Sequence, residues 1–288
     1  MTRSVLYVPG DAPEKLTRAL RSGADELIVD LEDAVPPDSR DAARREVAGR
    51  LREVAAGAVP LLWVRVNPGE QGIRDAAAVA LPGVAGVVAA KARDPAGLAA
   101  LGRTLAAAEH EHGLAEGTFG IIPLIESAGA VLLAPRLARA PRVVRLQLGE
   151  ADLRAELGVD PGPDGRELLH VRSRIVLAAA AAGIRPPVAP VSTDVRDPEG
   201  LRESTRAFAR LGFRGRACIH PAQIPVVNEV FTPSPEEVDR AREVVTRFRE
   251  ALAAGTAVCL DGRGRLIDEA VVRRARRLLA TAEAYGRP

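Results

Sequence analysis

The residues of this chain that could do chemistry fall where apolar runs stop. One such run gives way to Asp30-Leu31-Glu32-Asp33 and the next to Arg65-Val66-Asn67-Pro68. Later ones end at Lys91, Glu126, Gly149-Glu150-Ala151-Asp152, Ser192-Thr193-Asp194 and His220-Pro221. Glu126 and Asp152 form the sharpest pair, because two carboxylates with room for water are what Mg²⁺ prefers: it takes oxygen ligands and keeps part of its hydration shell. The competing reading of a lone Glu beside Ser127 is a solvated loop residue or a helix cap. Asp30, Glu32 and Asp33 alone would read as a solvated acidic loop. Asp30, however, alternates with apolar Val29 and Leu31, which points at least one acid inward, where it needs a cation or a donor. Arg65 is its natural complement. The same guanidinium suits a substrate carboxylate through two parallel hydrogen bonds, and an internal salt bridge to Asp30 or Glu32 could coexist with that task.

Lys91 and Lys15 are the only lysines among 40 basic residues, which singles out a compact ammonium against an arginine background. A Schiff-base aldolase would have to use Lys91. His220, before Pro221, reads as a structural or capping histidine, and Cys218, inside an apolar strand, as core. No Cys/His cluster has zinc spacing.

These ends must be positioned by regular elements. Apolar β-branched runs alternate with Ala/Leu/Arg segments of helical period. Strands are predicted at Ser4–Val8, Glu26–Leu31, Pro60–Val66, Val84–Ala90, Thr118–Ile125, Arg142–Leu148, Val188–Val191 and Arg216–Ile219. The helices that follow them are Pro13–Ser22, Ser39–Ala55, Ile73–Ala80, Pro95–His112, Ala128–Ala138, Gly165–Ala182, Pro198–Leu211 and Pro221–Val230. Eight strand-then-helix units suit an α/β (β/α)₈ TIM barrel over residues 1–230, whose chemistry sits where strands end. A doubly wound sheet is the rival, although no Gly-x-Gly-x-x-Gly follows the first strand. Residues 231–288 read as a C-terminal helical and hairpin extension. Ser234 caps a helix to Ala253, a turn follows Ala257–Leu260, and a last helix covers Glu269–Tyr285.

Composition narrows the classes. The chain has 288 residues, 47% hydrophobic and 27% charged, enough for a substantial core. A net charge of +2 with 3% aromatics supplies neither the field nor the stacking platforms for nucleic acid. No apolar run is long and uncharged enough to span a bilayer, and the N-terminus does not read as a signal peptide. Two cysteines are too few for a disulfide framework, so a cytoplasmic location is expected.

Taken in order, the motifs resemble the citrate lyase beta-subunit family, within the HpcH/HpaI group of metal-dependent aldolases that includes malyl-CoA and citramalyl-CoA lyases. The resemblance is carried by Arg3-Ser4-Val5-Leu6-Tyr7-Val8-Pro9-Gly10, Gly23-Ala24-Asp25, Asp30-Leu31-Glu32-Asp33-Ala34-Val35-Pro36-Pro37 and Arg65-Val66-Asn67-Pro68. It continues through Leu124-Ile125-Glu126-Ser127-Ala128, Leu148-Gly149-Glu150-Ala151-Asp152-Leu153, Gly212-Phe213-Arg214-Gly215, Ile219-His220-Pro221-Ala222-Gln223-Ile224 and Phe231-Thr232-Pro233-Ser234. The resemblance implies a (β/α)₈ barrel with Mg²⁺, or Mn²⁺, on Glu126 and Asp152, and Arg65 on the carboxylate of a 2-oxo acid. Glu32 and Asp33 would orient Arg65 and the metal's waters, and Lys15 and Arg18 would lie near coenzyme A phosphates. Leu266-Ile267-Asp268 resembles a lid whose aspartate is the acid/base, often reaching a neighbouring subunit, so a homo-oligomer, trimer or hexamer, is expected. The implied reaction is reversible cleavage of a 3-hydroxyacyl-CoA thioester to an acyl-CoA and a 2-oxo acid. An aldolase for free hydroxy-oxo acids and a non-catalytic binding barrel are the alternatives. The chain departs from the family pattern at Ala90-Lys91-Ala92-Arg93, where an acid becomes Arg93, at Ala270 in place of proline, and at Arg216 in place of lysine.

Overall fold

The computed structural model describes residues 2–54, 60–162 and 164–286. It divides into two compact units, Thr2–Asn228 and Glu229–Pro288.

The first unit is a curled parallel sheet of seven strands, with order β6-β5-β4-β3-β2-β1-β7. The strands are β1 (Ser4–Pro9), β2 (Glu26–Asp30), β3 (Leu61–Val66), β4 (Val84–Ala89), β5 (Gly120–Ile125), β6 (Gln147–Leu148) and β7 (Arg216–Cys218). Between them run α1 (Pro13–Ala19), α2 (Arg40–Val54), α3 (Gly69–Val79), α4 (Pro95–Glu111), α5 (Ala128–Leu137), α6 (Glu150–Leu157), α7 (Leu169–Ala182) and α8 (Pro198–Leu211), and β7 is followed by α9 (Ile224–Phe231). The near-continuous Val/Ile/Leu content of the strands is what a parallel sheet covered on its faces requires. Val5, Ile28, Trp63, Val88, Ile122 and Ala217 make one buried cluster on the concave side. Because strand side chains alternate faces, the residue two places beyond each of these points the same way. That rule carries Tyr7, Asp30, Arg65 and, two further on from Leu124, Glu126 to the mouth. Asp30 and Arg65 are also direct register partners on β2 and β3.

Two local expectations are corrected. The segment Val188–Val191 forms no strand; Val188 makes a single bridge to Gln147 and Ala189 one to Arg216. The cause lies in Pro186, Pro187 and Pro190, which have no N–H to donate to a ladder. Only Val188 and Ala189 donate, to Leu146 and Gly215 carbonyls at 3.2 and 3.0 Å. Arg142–Leu148 contracts to the two residues of β6, preceded by a lone bridge from Val143 to Ile121. The stretch after β6 forms a further helix, α6, which is not among the expected helices; Gly149 precedes it and Gly158 ends it in the left-handed region. The end of the helix expected at Ser39–Ala55 includes Ala55, which lies outside the described residues.

In the second unit, α10 (Pro235–Ala253) begins with Ser234 as N-cap and a reciprocal capping box to Glu237. A two-stranded antiparallel hairpin, β8 (Cys259–Leu260) with β9 (Leu266–Ile267), leads to α11 (Glu269–Ala284). Phe248, Ile267 and Val272 form the core of this unit. Asp268 caps α11, accepting from the Val271 N–H at 2.9 Å.

Candidate active site

The C-terminal ends of the strands surround a cavity of about 420 Å³ lined by Tyr7, Asp30, Asp33, Arg65, Glu126, Gln147, Glu150 and Asp152, with Leu124, Leu148, Pro190, Val191 and Ile219 as its apolar wall. Arg65 is the organising cation. Its Nε and one terminal nitrogen donate to the two oxygens of Asp30, each at 2.6 Å, a bidentate pair. Its other terminal nitrogen lies 3.2 Å from Glu32 and 3.3 Å from Asp33. The fork available to an external carboxylate is therefore already closed on Asp30, and only the Nη1 edge remains shared with softer contacts. The Arg65 guanidinium also sits 5.3 Å above the Tyr7 ring.

Lys91 holds the other side of the acidic group. Its ammonium pairs with Glu32 and lies 3.3 Å from Asp33, while its backbone N–H donates to Glu126 Oε1. Lys91 adopts φ 49°, a conformation costly for a side chain with a Cβ, so the surrounding contacts hold it there. Burial works against the Lys91 charge but Glu32 and Asp33 outweigh it and raise its pKa. A firmly protonated amine is the opposite of what Schiff-base chemistry needs. Burial lifts Glu32, with Lys91 and Arg65 opposing; Asp33 is lowered, its burial outweighed by Glu32, Arg65 and Lys91.

Among the described residues no cation pairs with Glu126. It is 5% exposed, and Ser127, not Glu126, caps α5 through the Ala130 N–H. Burial pushes its carboxyl up to about 8, the Lys91 N–H opposing and Asp152 and Glu32 adding to the rise. A Cβ at Gly149 would lie 2.8 Å from Glu126 Cβ and 2.9 Å from its Oε2, so the absence of a side chain there is what lets the carboxylate lie against the β6–α6 turn. Asp152, exposed in the first turn of α6, faces the same cavity. Among the described residues no three His, Cys, Asp or Glu side chains converge to hold a metal unaided. Two carboxylates supplemented by water and substrate are a Mg²⁺ donor set, and an uncompensated acidic pair is the electrostatic condition a divalent cation relieves.

The structure thus brings Arg65, Glu32, Asp33, Glu126 and Asp152 together. Lys15 and Arg18 lie exposed on α1, Arg18 bonded to the Glu14 carbonyl at 3.3 Å. Asp268 belongs to the second unit. Glu150 is tied to Arg172 by two bonds of 2.6 and 2.9 Å, and Asn67 turns to Leu31 and Asp75, so both serve packing. His220 caps the turn after β7, its Nδ1 accepting from the Ala222 N–H, and Cys218 is fully buried. Tyr7 and Gln147 were absent from the sequence-derived set although both line the cavity. The signal for Tyr7 was its parity with core Val5.

A curled parallel α/β sheet whose carboxylates gather around a cavity at the C-terminal strand ends defines a class: enzymes that work at that mouth. The chain belongs to the HpcH/HpaI aldolase/citrate lyase family, whose model matches residues 3–221. It is 34% identical to the citrate lyase subunit beta of Leuconostoc mesenteroides subsp. cremoris, over 99% of this chain and 94% of that one. It is 32% identical to a (3S)-malyl-CoA thioesterase of Cereibacter sphaeroides, over 98% and 95%. Among solved structures, CitE from Mycobacterium tuberculosis in complex with magnesium, acetoacetate and coenzyme A superimposes with a TM-score of 0.79 at 31% identity, covering 98% of both chains.

Proposed function

We propose that this chain is a Mg²⁺-dependent carbon–carbon lyase that reversibly cleaves a 3-hydroxyacyl-CoA thioester to an acyl-CoA and a 2-oxo acid. The observation that carries the reading is Glu126: a buried carboxyl without a cation, raised to about 8 and sharing a cavity with Asp152. Glu126 and Asp152 would hold the metal, with Mn²⁺ as a substitute. Bound there, Mg²⁺ supplies Lewis acidity at the substrate oxygen that becomes the 2-oxo carbonyl. Arg65, locked by Asp30, presents its Nη1 edge and its charge to the substrate carboxylate, while Glu32 and Asp33 keep that edge oriented. Asp268 serves as acid/base, returning a proton to the thioester enolate carbon in cleavage and removing it in condensation, while the 3-hydroxyl proton passes to solvent water in cleavage and is drawn from it in condensation. Lys15 and Arg18 offer their charges to coenzyme A phosphates.

In this reading the sheet is a full (β/α)₈ barrel in which Val188 and Ala189 act as a shortened eighth stave. The two single bridges to Gln147 and Arg216 support it. The barrel spans 1–230, with 231–288 as a lid, in a cytoplasmic homo-oligomer, trimer or hexamer. Both cysteines are free, in keeping with a reducing compartment. Among the described residues no helix is long and apolar enough to cross a membrane.

The test is a panel of acetyl-, propionyl- and hydroxyacyl-CoA with glyoxylate, pyruvate and oxaloacetate, with and without EDTA. Release of an acyl-CoA with a 2-oxo acid supports the lyase. Release of free coenzyme A with intact hydroxy acid replaces it with thioester hydrolysis, the activity named for one relative. Full activity in EDTA, or an adduct trapped on Lys91 by borohydride, overturns the metal mechanism. Asp268→Asn separates catalysis from capping: Asn also caps helices, so stability should stay within a few tenths of a kcal/mol while proton exchange at the acyl methyl is lost. Unchanged exchange removes Asp268 from the mechanism.

A further inference from the structure

The cavity contains a hydrogen-bond arrangement that the metal and Arg65 do not account for. Tyr7 Oη accepts a bond of 2.7 Å from Gln147 Nε2, across 140 residues of sequence. Among the described residues no acceptor takes the Tyr7 hydroxyl proton in return. Gln147 is 2% exposed and its own Oε1 is left buried without a partner. Leaving a buried oxygen unpaired is costly. The Arg65 guanidinium lies over the Tyr7 ring, 5.3 Å from its centre. The phenol oxygen is thus held by Gln147, and its own hydrogen remains available to the cavity the residue lines.

Of the polar side chains around that cavity, Asp30, Asp33, Glu126, Glu150 and Asp152 accept when ionised and cannot donate. Arg65 has its Nε and one terminal nitrogen committed to Asp30. A substrate oxygen that gains negative charge there faces mostly carboxylates. The Tyr7 hydroxyl is the neutral donor placed to meet it. Burial, with Asp30 and Glu126 adding and Arg65 opposing, raises the phenol's pKa well above its ordinary value, so it stays protonated.

We propose that the Tyr7 hydroxyl, oriented by Gln147, donates a hydrogen bond to the alkoxide oxygen that forms as the carbon–carbon bond is made or broken. This rests on the lyase reading above. Since the alkoxide charge develops chiefly in the transition state, the bond to the uncharged carbonyl oxygen of the bound oxo acid is weak and strengthens as charge forms, so it acts on kcat far more than on ground-state binding.

The chain has two tyrosines, Tyr7 and Tyr285, so a Tyr285→Phe parent carries one tyrosine signal. In that full-length parent, Tyr7→Phe should lower kcat about ten- to a hundredfold, leaving KM for the oxo acid and Mg²⁺ affinity within about twofold. Gln147→Leu should cost less, and the double variant should be no worse than Tyr7→Phe alone, because Gln147 acts through Tyr7. With ¹³Cζ-tyrosine, the single Tyr7 resonance should move when pyruvate is added with Mg²⁺. An unchanged kcat in Tyr7→Phe, additive losses in the double variant, or a stationary resonance overturns the proposal. If the parent cleaves no thioester, the lyase reading falls, and the resonance still reports whether Tyr7 meets the oxo acid.

Discussion

Strand β2 begins with one buried acid and ends with another, and their fates differ. Glu26 and Asp30 are four residues apart, so they share a face of the strand. At the N-terminal end, Glu26 and Arg145 are 1% and 2% exposed. One terminal nitrogen of Arg145 donates to Glu26 Oε1 at 3.1 Å and the other to Oε2, Thr2 adds its hydroxyl, and the guanidinium lies 5.7 Å from the Trp63 ring. One acid meets one base, so the charges balance. At the C-terminal end, Asp30 also meets one arginine, but Glu32, Asp33, Glu126 and Asp152 crowd around with only Lys91 added, and the group opens on a cavity. Balanced charge at one end ties strands together. Surplus negative charge at the other is an incomplete arrangement that a divalent cation completes. Buried ion pairs are thus no marker of function by themselves; the imbalance is.

The largest effect that would break this contrast is expected at Glu126. Glu126→Gln should reduce Mg²⁺-dependent turnover by several kcal/mol of transition-state stabilisation, on the order of a thousandfold or more, without lowering the melting temperature of the metal-free protein. Persistent turnover would make the acidic end structural like the other. Next comes the balanced end: Arg145→Met strands Glu26 and should cost about 3–5 kcal/mol in denaturant unfolding, with kcat per folded molecule unchanged. Adding Glu26→Leu should recover much of the loss, because a removed pair is far cheaper than a broken one. A loss of activity at retained stability would show that the two ends are coupled.

The smallest effect is a pH dependence that only the open end should show. Glu126 titrates near 4.5 when unfolded and is pushed up to about 8 when folded. Between those values the folded chain holds a proton that the unfolded chain has released, so stability of the metal-free protein falls as pH rises through that window. Mg²⁺ binding at pH 7 should then release close to one proton, about tenfold in affinity per pH unit, as read by calorimetry in buffers of different ionisation enthalpy. Glu126→Gln should flatten both dependences.

Much of this was legible in the sequence because it depends on local periodicity. Alternation along a strand places Asp30 two beyond Ile28, Arg65 two beyond Trp63 and Glu126 two beyond Leu124, and Ser234 announces its helix by its own spacing to Glu237. Where proline chemistry competed with apolar content, at 186–190, the pattern misled: valine and alanine promised a strand that three missing N–H groups denied. The short helix α6 was missed because Glu150–Leu157 shows little apolar periodicity, with Leu153 its only buried side chain.

The chain by itself therefore determined which residue types stand at the strand ends and which way they face, since both follow from a two-residue repeat. Only the tertiary structure decided who neutralises whom. Whether Arg65 closes on Asp30, whether Glu126 is left without a cation, and whether Tyr7 meets Gln147 depend on distances between strands remote in sequence. Ion pairs and hydrogen bonds change strength over fractions of an ångström, a scale that residue order does not encode.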